Sequence, residues 1–380
     1  MVLVISIGCA NSGYGPQGGW SGPTIGGPSD EIIFVANQSG EILALDKNKR
    51  GKIKWRVDYD DETSTPVYST LTIGVDNNIY FGTWEGRVIA LNIEDGSEQW
   101  SYPLDVSPII GNVFSHPNAK ADPLIYVGTS NGSLFALDIS RTNETPTVVW
   151  EFQTEDKIWG TAIVYPNPDE IGHGILIIGS MDHNVYALDD QTGEELWRFE
   201  TEGAVAGTPQ IIGTTVYIGS FDRHLYAIDL YSGNQKWRFK TDGWLWNQFV
   251  VDSPDARSAN LFIPPREGTL YALTQEGNLL WTYAAKSKVI SSPAFTQDNQ
   301  LSLLAMATEK GTLHIFDTET CPSNGSSCAP IWSYNIGKKV QAPLTIYNSV
   351  VYVNAMDDSI RAIHLSENIE LWNRSIAEDD

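Results

Sequence analysis

Few side chains in this 380-residue chain are equipped for covalent or metal chemistry: three cysteines and six histidines, set among 47 acidic residues. Cys321 and Cys328 bracket the polar run PSNGSS. A C-x6-C pair in such a loop reads as a local disulfide, which suits an oxidising compartment. A metal site there would lack ligands, because no His or third Cys lies close in sequence. His116, His173, His183, His224, His314 and His364 are scattered without the short spacings of a ligand set. His183 and His224 fall in the related turns MDHN and FDRH, so they recur with a repeat rather than with a site. No nucleophile–base pair stands out. The expected catalytic set is therefore empty, and so is the metal set.

The elements that hold these residues announce themselves through tryptophan. Trp55, Trp100, Trp150, Trp197, Trp237, Trp281, Trp332 and Trp372 recur at intervals between 40 and 51 residues. A period of this length marks a four-stranded propeller blade or another stacked unit. Ahead of many of them runs an apolar segment closing in a small residue, such as IYFGT, ILIIGS or VYIGS, followed by a segment such as VYALD. The alternation has period two, so these are strands. After most of these Trp a short segment enters a new apolar run, often through Pro. Pro23, Pro66, Pro108, Ala162, Pro209, Phe249, Pro293 and Pro343 thus mark eight first strands. A single blade cannot bury both faces, but eight around an axis leave only short, protected edges. The expected fold is all-β: an eight-bladed β-propeller over residues 20–380, with residues 1–19 as a leader remnant and flexible tether. How the ring closes stays open, since whole terminal blades and an exchanged terminal strand read alike. With 24 basic against 47 acidic residues the net charge is −23. That repels phosphate backbones and anionic headgroups, so neither nucleic acid nor a membrane surface is an expected partner.

The stretch Ala187-Leu-Asp-Asp-Gln-Thr-Gly-Glu-Glu-Leu-Trp197 resembles the A-x-D-x-x-T-G-x-x-x-W tryptophan-docking motif of the quinoprotein (PQQ-like) propeller repeat family. Ala227–Trp237 is similar with Ser232 for Thr, and Ala90–Trp100 with Asn92 and Asp95; the other copies are looser. The resemblance implies that the eight repeat tryptophans are blade-to-blade mortar. Asp189 and Thr192 would cap the turn, and Gly193 would supply a positive φ. The family's dehydrogenases hold PQQ beside Ca²⁺ under a pair of adjacent, disulfide-linked cysteines. This chain has no such pair and is much shorter than those enzymes; it resembles the non-enzymatic, BamB-like lipoprotein branch. No cofactor is expected, with PQQ and Ca²⁺ as the alternative.

The opening MVLVISIGCANSGYG contains Ser6-Ile7-Gly8-Cys9, which resembles the lipobox of bacterial lipoproteins. Cys9 is the expected lipidation site, and lipid the only expected membrane link; the location is extracytoplasmic, periplasmic or cell-surface. If the four strands of each blade alternate in direction, the links between blades share one face with the second-to-third-strand turns. Three residues before each first-strand marker stand Trp20, Thr63, Asp105, Trp159, Ala206, Trp246, Ile290 and Val340, which should ring the mouth of the central channel. Trp244 lies close by, and the turns of that face add Trp84, Met181, Phe221 and Met356. Clustered aromatics and Met suit a protein or peptide partner. Two alternatives remain: the tryptophans plug the channel as extra core, or they line a small-molecule pocket. The turns also carry Glu85, Asp182, Asp222, Glu267, Glu309 and Asp357, an acidic ring that attracts a basic partner or is simply solvated.

Overall fold

The computed structural model describes residues 21–27, 29–37, 39–59, 67–115, 123–141, 144–166, 173–252, 259–298 and 301–377. Trp20, Thr63, Pro66, His116 and Cys9 lie outside them. Among the described residues thirty-two strands form eight four-stranded antiparallel sheets, each built from four consecutive strands. The first blade runs from Thr24–Gly26 through Ile32–Ala36 and Ile42–Asp46 to Lys52–Val57. The eighth runs from Thr345–Tyr347 through Val350–Ala355 and Ser359–His364 to Ile369–Ser375. Among the described residues no strand is exchanged between them. The ring closes by side-chain packing: Ile33, Val35, Leu43 and Leu45 of the first blade share a buried cluster with Tyr352, Ile360, Ala362 and Ile376 at the eighth. Asn354 Nδ2 donates to the Ser21 and Ala36 carbonyls at 3.0 and 3.2 Å, joining the two blades again.

The spacing of the repeat motif is a statement of register. In blade 4 (Ile163–Pro166, Gly174–Gly179, Asn184–Asp189, Glu195–Glu200), Ala187 pairs directly with Trp197, and a bulge follows between Ala187 and Leu188. The same Ala–Trp pairing recurs at Ala44–Trp55, Ala90–Trp100, Ala136–Trp150, Ala227–Trp237, Ala272–Trp281 and Ala362–Trp372. A small residue opposite the indole leaves it room to lie across the blade.

Each indole then reaches the following blade. Trp197 Nε1 donates to the Leu230 carbonyl at 2.8 Å, Trp150 to Asp190 at 3.0 Å, Trp237 to Gln275 at 3.1 Å and Trp332 to Leu365 at 2.7 Å. The glycine of the next motif lies on the ring. A Cβ on Gly193 would come within 2.7 Å of Trp150, and one on Gly233 within 2.8 Å of Trp197. These glycines also hold φ of +73° and +69°. The motif glycine therefore answers to two demands, a left-handed turn and contact with the preceding blade's indole. Asp189 Oδ1 accepts from the Gln191 and Thr192 amides at 3.0 and 2.9 Å, fixing the turn that carries Gly193.

Blade 7 departs from the pattern. Its third and fourth strands (Thr312–Asp317, Trp332–Asn335) are separated by the insertion in which Cys321 and Cys328 are bonded. The insertion lies along the outer strand of blade 6 (Leu279–Ala284). Gly325 N donates to the Leu280 carbonyl at 2.7 Å, Thr282 N to Ser326 at 3.2 Å and Cys328 N to Thr282 at 2.9 Å. Trp281 is buried beneath it, stacked on Phe316. The disulfide loop thus caps an open sheet edge and latches blade 6 to blade 7.

Candidate functional site: the funnel mouth

The first strands surround the axis, and the links entering blades 1 to 5 are laced together. Gly22 N donates to Thr70 Oγ1 at 3.2 Å, Thr70 N to Asn112 Oδ1 at 2.7 Å, Asn112 N to Thr161 Oγ1 at 3.0 Å, and Thr161 N to Thr208 Oγ1 at 3.1 Å. Each bond crosses from one blade to the next. The residue before must be small where chains approach. A Cβ on Gly111 would meet the Gly160 carbonyl at 2.5 Å, and one on Gly160 the Gly207 carbonyl at 2.6 Å.

This ring corrects the register expected at three blades. The first strands of blades 2, 3 and 8 are Thr72–Ile73, Phe114–Ser115 and Thr345–Tyr347, later than Pro66, Pro108 and Pro343 imply. The lace is set by side-chain acceptors meeting backbone amides across blades, at positions that the prolines do not mark. Asp105 therefore stays in the turn after blade 2, where its Oδ1 accepts from the Ser107 amide, and Val340 is fully buried. Tyr68, Ile110 and Gln341 stand at the mouth in place of Thr63, Asp105 and Val340.

A cavity of about 480 Å³ opens at the mouth. Its outer tier is Tyr68, Ile110, Trp159, Ala206, Trp246, Ile290 and Gln341; its inner tier includes Thr70, Asn112, Thr161, Thr208, Gln248 and Ser292. Aromatic and aliphatic walls stand over a collar of hydroxyls and amides, and no charged side chain lines it among the described residues. Trp159 and Trp246 are half-buried. Trp159 Nε1 is shielded from solvent and has no hydrogen-bond partner among the described residues. A buried donor left so costs on the order of 1–3 kcal/mol.

The other aromatics extend the mouth outward. Trp84, which also lines the cavity, packs against Tyr68 with ring centroids 5.2 Å apart. Trp244 is 46% exposed, stacks on Phe221 at 5.3 Å and 11°, and carries the Arg266 guanidinium 5.8 Å from its ring. Met181, Phe221 and Met356 occupy equivalent turns. Their amides donate to the Lys157, Ala204 and Lys339 carbonyls at 2.8, 2.9 and 2.9 Å, which ties each turn to the neighbouring link. The structure thus brings Trp84, Trp159 and Trp246 to one cavity, sets Trp244 and Phe221 together as a separate stack, and keeps Met181 and Met356 on turns outside the lining.

Several carboxylates of the acidic turns are engaged within the protein. Asp182 accepts from Tyr186 Oη at 2.7 Å and Asp222 from Tyr226 Oη at 2.6 Å. Burial, then the Asp222 bond, pushes the Tyr226 hydroxyl up to about 12, so it remains a donor at neutral pH. Glu267 accepts from the Trp244 amide at 3.0 Å, and Asp357 bonds the Arg361 guanidinium at 3.1 Å. Among the described residues no group of three or more His, Cys, Asp or Glu is placed to hold a metal. His314 is buried between Ser333 Oγ at 2.8 Å and Tyr283, and burial holds its pKa below the usual value.

Sequence reasoning missed Tyr68, Ile110, Gln341 and the amide collar. A signal for most of them was present: the pairs Ser69-Thr70, Gly111-Asn112, Gly160-Thr161, Gly207-Thr208 and Ser291-Ser292, small then polar, track the ring more closely than proline does.

Residues 15–145, 139–255 and 266–379 match the family described as outer membrane protein assembly factor BamB. The chain belongs to this family. Among its relatives, the outer membrane protein assembly factor BamB of Legionella pneumophila is 29% identical over half of this chain and 46% of its own length. The quinohemoprotein alcohol dehydrogenase ADH IIB of Pseudomonas putida is 30% identical over 42% of this chain and 23% of its own. The match thus spans less than half the length of either relative. The crystal structure of BamB from Moraxella catarrhalis superposes with a TM-score of 0.67 at 18% identity, covering 94% of this chain and 95% of that one. At that identity the likeness is one of fold.

Proposed function

We propose that this BamB-family propeller is a non-catalytic, extracytoplasmic scaffold whose funnel mouth holds a peptide segment of a protein partner in cell-envelope assembly. The observation that carries this reading is the chemistry of the mouth, with tryptophans over a collar of amides and hydroxyls and no charge among the described lining residues. Indoles supply large contact area at low entropic cost, and the collar can pair with a main chain. The same lining argues against the oxidoreductase alternative. PQQ is a tricarboxylate and its Ca²⁺ needs carboxylate oxygens, whereas these residues offer neither cation nor anion. The Cys321–Cys328 bridge fits an oxidising compartment. Cys9 is the proposed lipid attachment point.

Pull-down from membrane extract with the full chain tests the reading. Wild type is expected to capture a partner that the Trp159→Ala/Trp246→Ala variant captures at least about tenfold less, as befits two central aromatic anchors. Equal capture by a folded variant would place the partner elsewhere.

A further inference from the structure

Charge at the funnel mouth is divided between two sectors. On the links entering blades 4 to 6 the charge is mainly acidic, and two of the four carboxylates are paired with a cation. Asp156 bonds Lys157 Nζ at 3.2 Å, Glu202 accepts from Arg238 at 2.8 Å, and Asp242 accepts from Thr269. On the links entering blades 7 and 8 the situation reverses. Lys286, Lys288, Lys338 and Lys339 are all exposed, and none forms an ion pair with a described residue. Lys310 joins them from the blade 7 turn beside Glu309, whose amide donates to the Lys288 carbonyl at 2.8 Å. These links run directly into Ile290 and Gln341, two residues of the cavity wall.

In a chain of net charge −23, this arc is a local inversion of sign next to a well whose described lining carries no charge. We propose that the lysine arc over blades 7 and 8 receives an acidic stretch of the partner protein, whose adjoining apolar side chain enters the funnel. The proposal rests on the reading of the funnel as a peptide site. It inverts the expectation from the acidic turns, since Asp182, Asp222, Glu267 and Asp357 are hydrogen-bonded to their own neighbours while the lysines have no ion-pair partner among the described residues. Screening explains why a short segment fits better than a broad anionic surface. Beyond a Debye length of roughly 8 Å the arc is hardly felt, so an extended anionic sheet meets the repulsion of the whole molecule. A single acidic stretch need approach only the arc.

Fluorescently labelled peptides report this by anisotropy: EESLFSEE, its neutral counterpart QQSLFSQQ and the basic KKSLFSKK, titrated with the full chain. The acidic peptide is expected to bind about tenfold more tightly than the neutral one at low salt, and to lose that margin as salt rises. The quadruple variant Lys286→Gln/Lys288→Gln/Lys338→Gln/Lys339→Gln should abolish the margin while binding the neutral peptide as wild type does. Equal binding of acidic and neutral peptides, or tightest binding of the basic one, would overturn the arc and leave the funnel standing. Failure of all three would overturn both. Lysine-dependent binding to phosphatidylglycerol vesicles without peptide binding would assign the arc to a membrane instead.

Discussion

Gly193 and Gly233 show how one position can be fixed twice. Each holds a positive φ, and each presses on the indole of the blade before it. Gly213 separates the two demands, because its φ is +56° and nothing lies within 4 Å of a Cβ built there. Gly213→Ala should therefore cost only the left-handed backbone term, about 1–2 kcal/mol. Gly233→Ala should cost that plus displacement of Trp197, so chemical denaturation is expected to rank it clearly below Gly213→Ala. Equal losses would mean the indole contact contributes nothing. The motif was legible in sequence because turn, glycine and tryptophan obey one local geometry in five of the eight copies. The contact between Gly233 and Trp197 was not, because it joins consecutive blades and leaves no mark in the spacing of either one.

Among the elements, the fourth strand of blade 6 is distinctive, because its outer edge is taken up by the loop inserted in blade 7. The sequence read this loop as a peripheral turn closed by Cys321 and Cys328. Its role as a latch was hidden, since no local pattern says which blade an insertion folds against. Cys321→Ala/Cys328→Ala frees a short loop and should lower stability by about 2–3 kcal/mol. Hydrogen exchange gives the sharper test. The Thr282 amide, which donates to Ser326, is expected to lose protection in the variant. If it stays protected while stability falls, the loop docks without help from the bridge. The links into the first strands teach a related lesson. Their lengths vary, so counting back from proline misplaced the mouth at blades 2, 3 and 8, whereas the hydrogen-bonded lace through Thr70, Asn112, Thr161 and Thr208 is set across blades.

For the whole molecule, eight like blades make a ring with two unlike faces. The motif turns repeat with little chemical variety on one. On the other, the links depart from the repeat and place Trp159, Trp246, Tyr68 and Gln341 around one cavity. Departure from repetition is where a repeat protein gains specificity, and the aromatic content of this face was readable before its geometry was. The most direct test is photocrosslinking in living cells with p-benzoylphenylalanine at two exposed positions. One is Gln248 in the funnel, and the other is Glu194 on the blade 4 motif turn of the opposite face. A discrete crosslinked protein band from Gln248, absent from Glu194 and lost on adding Trp159→Ala, is the expected result. A partner band from Glu194 with none from Gln248 would contradict the account.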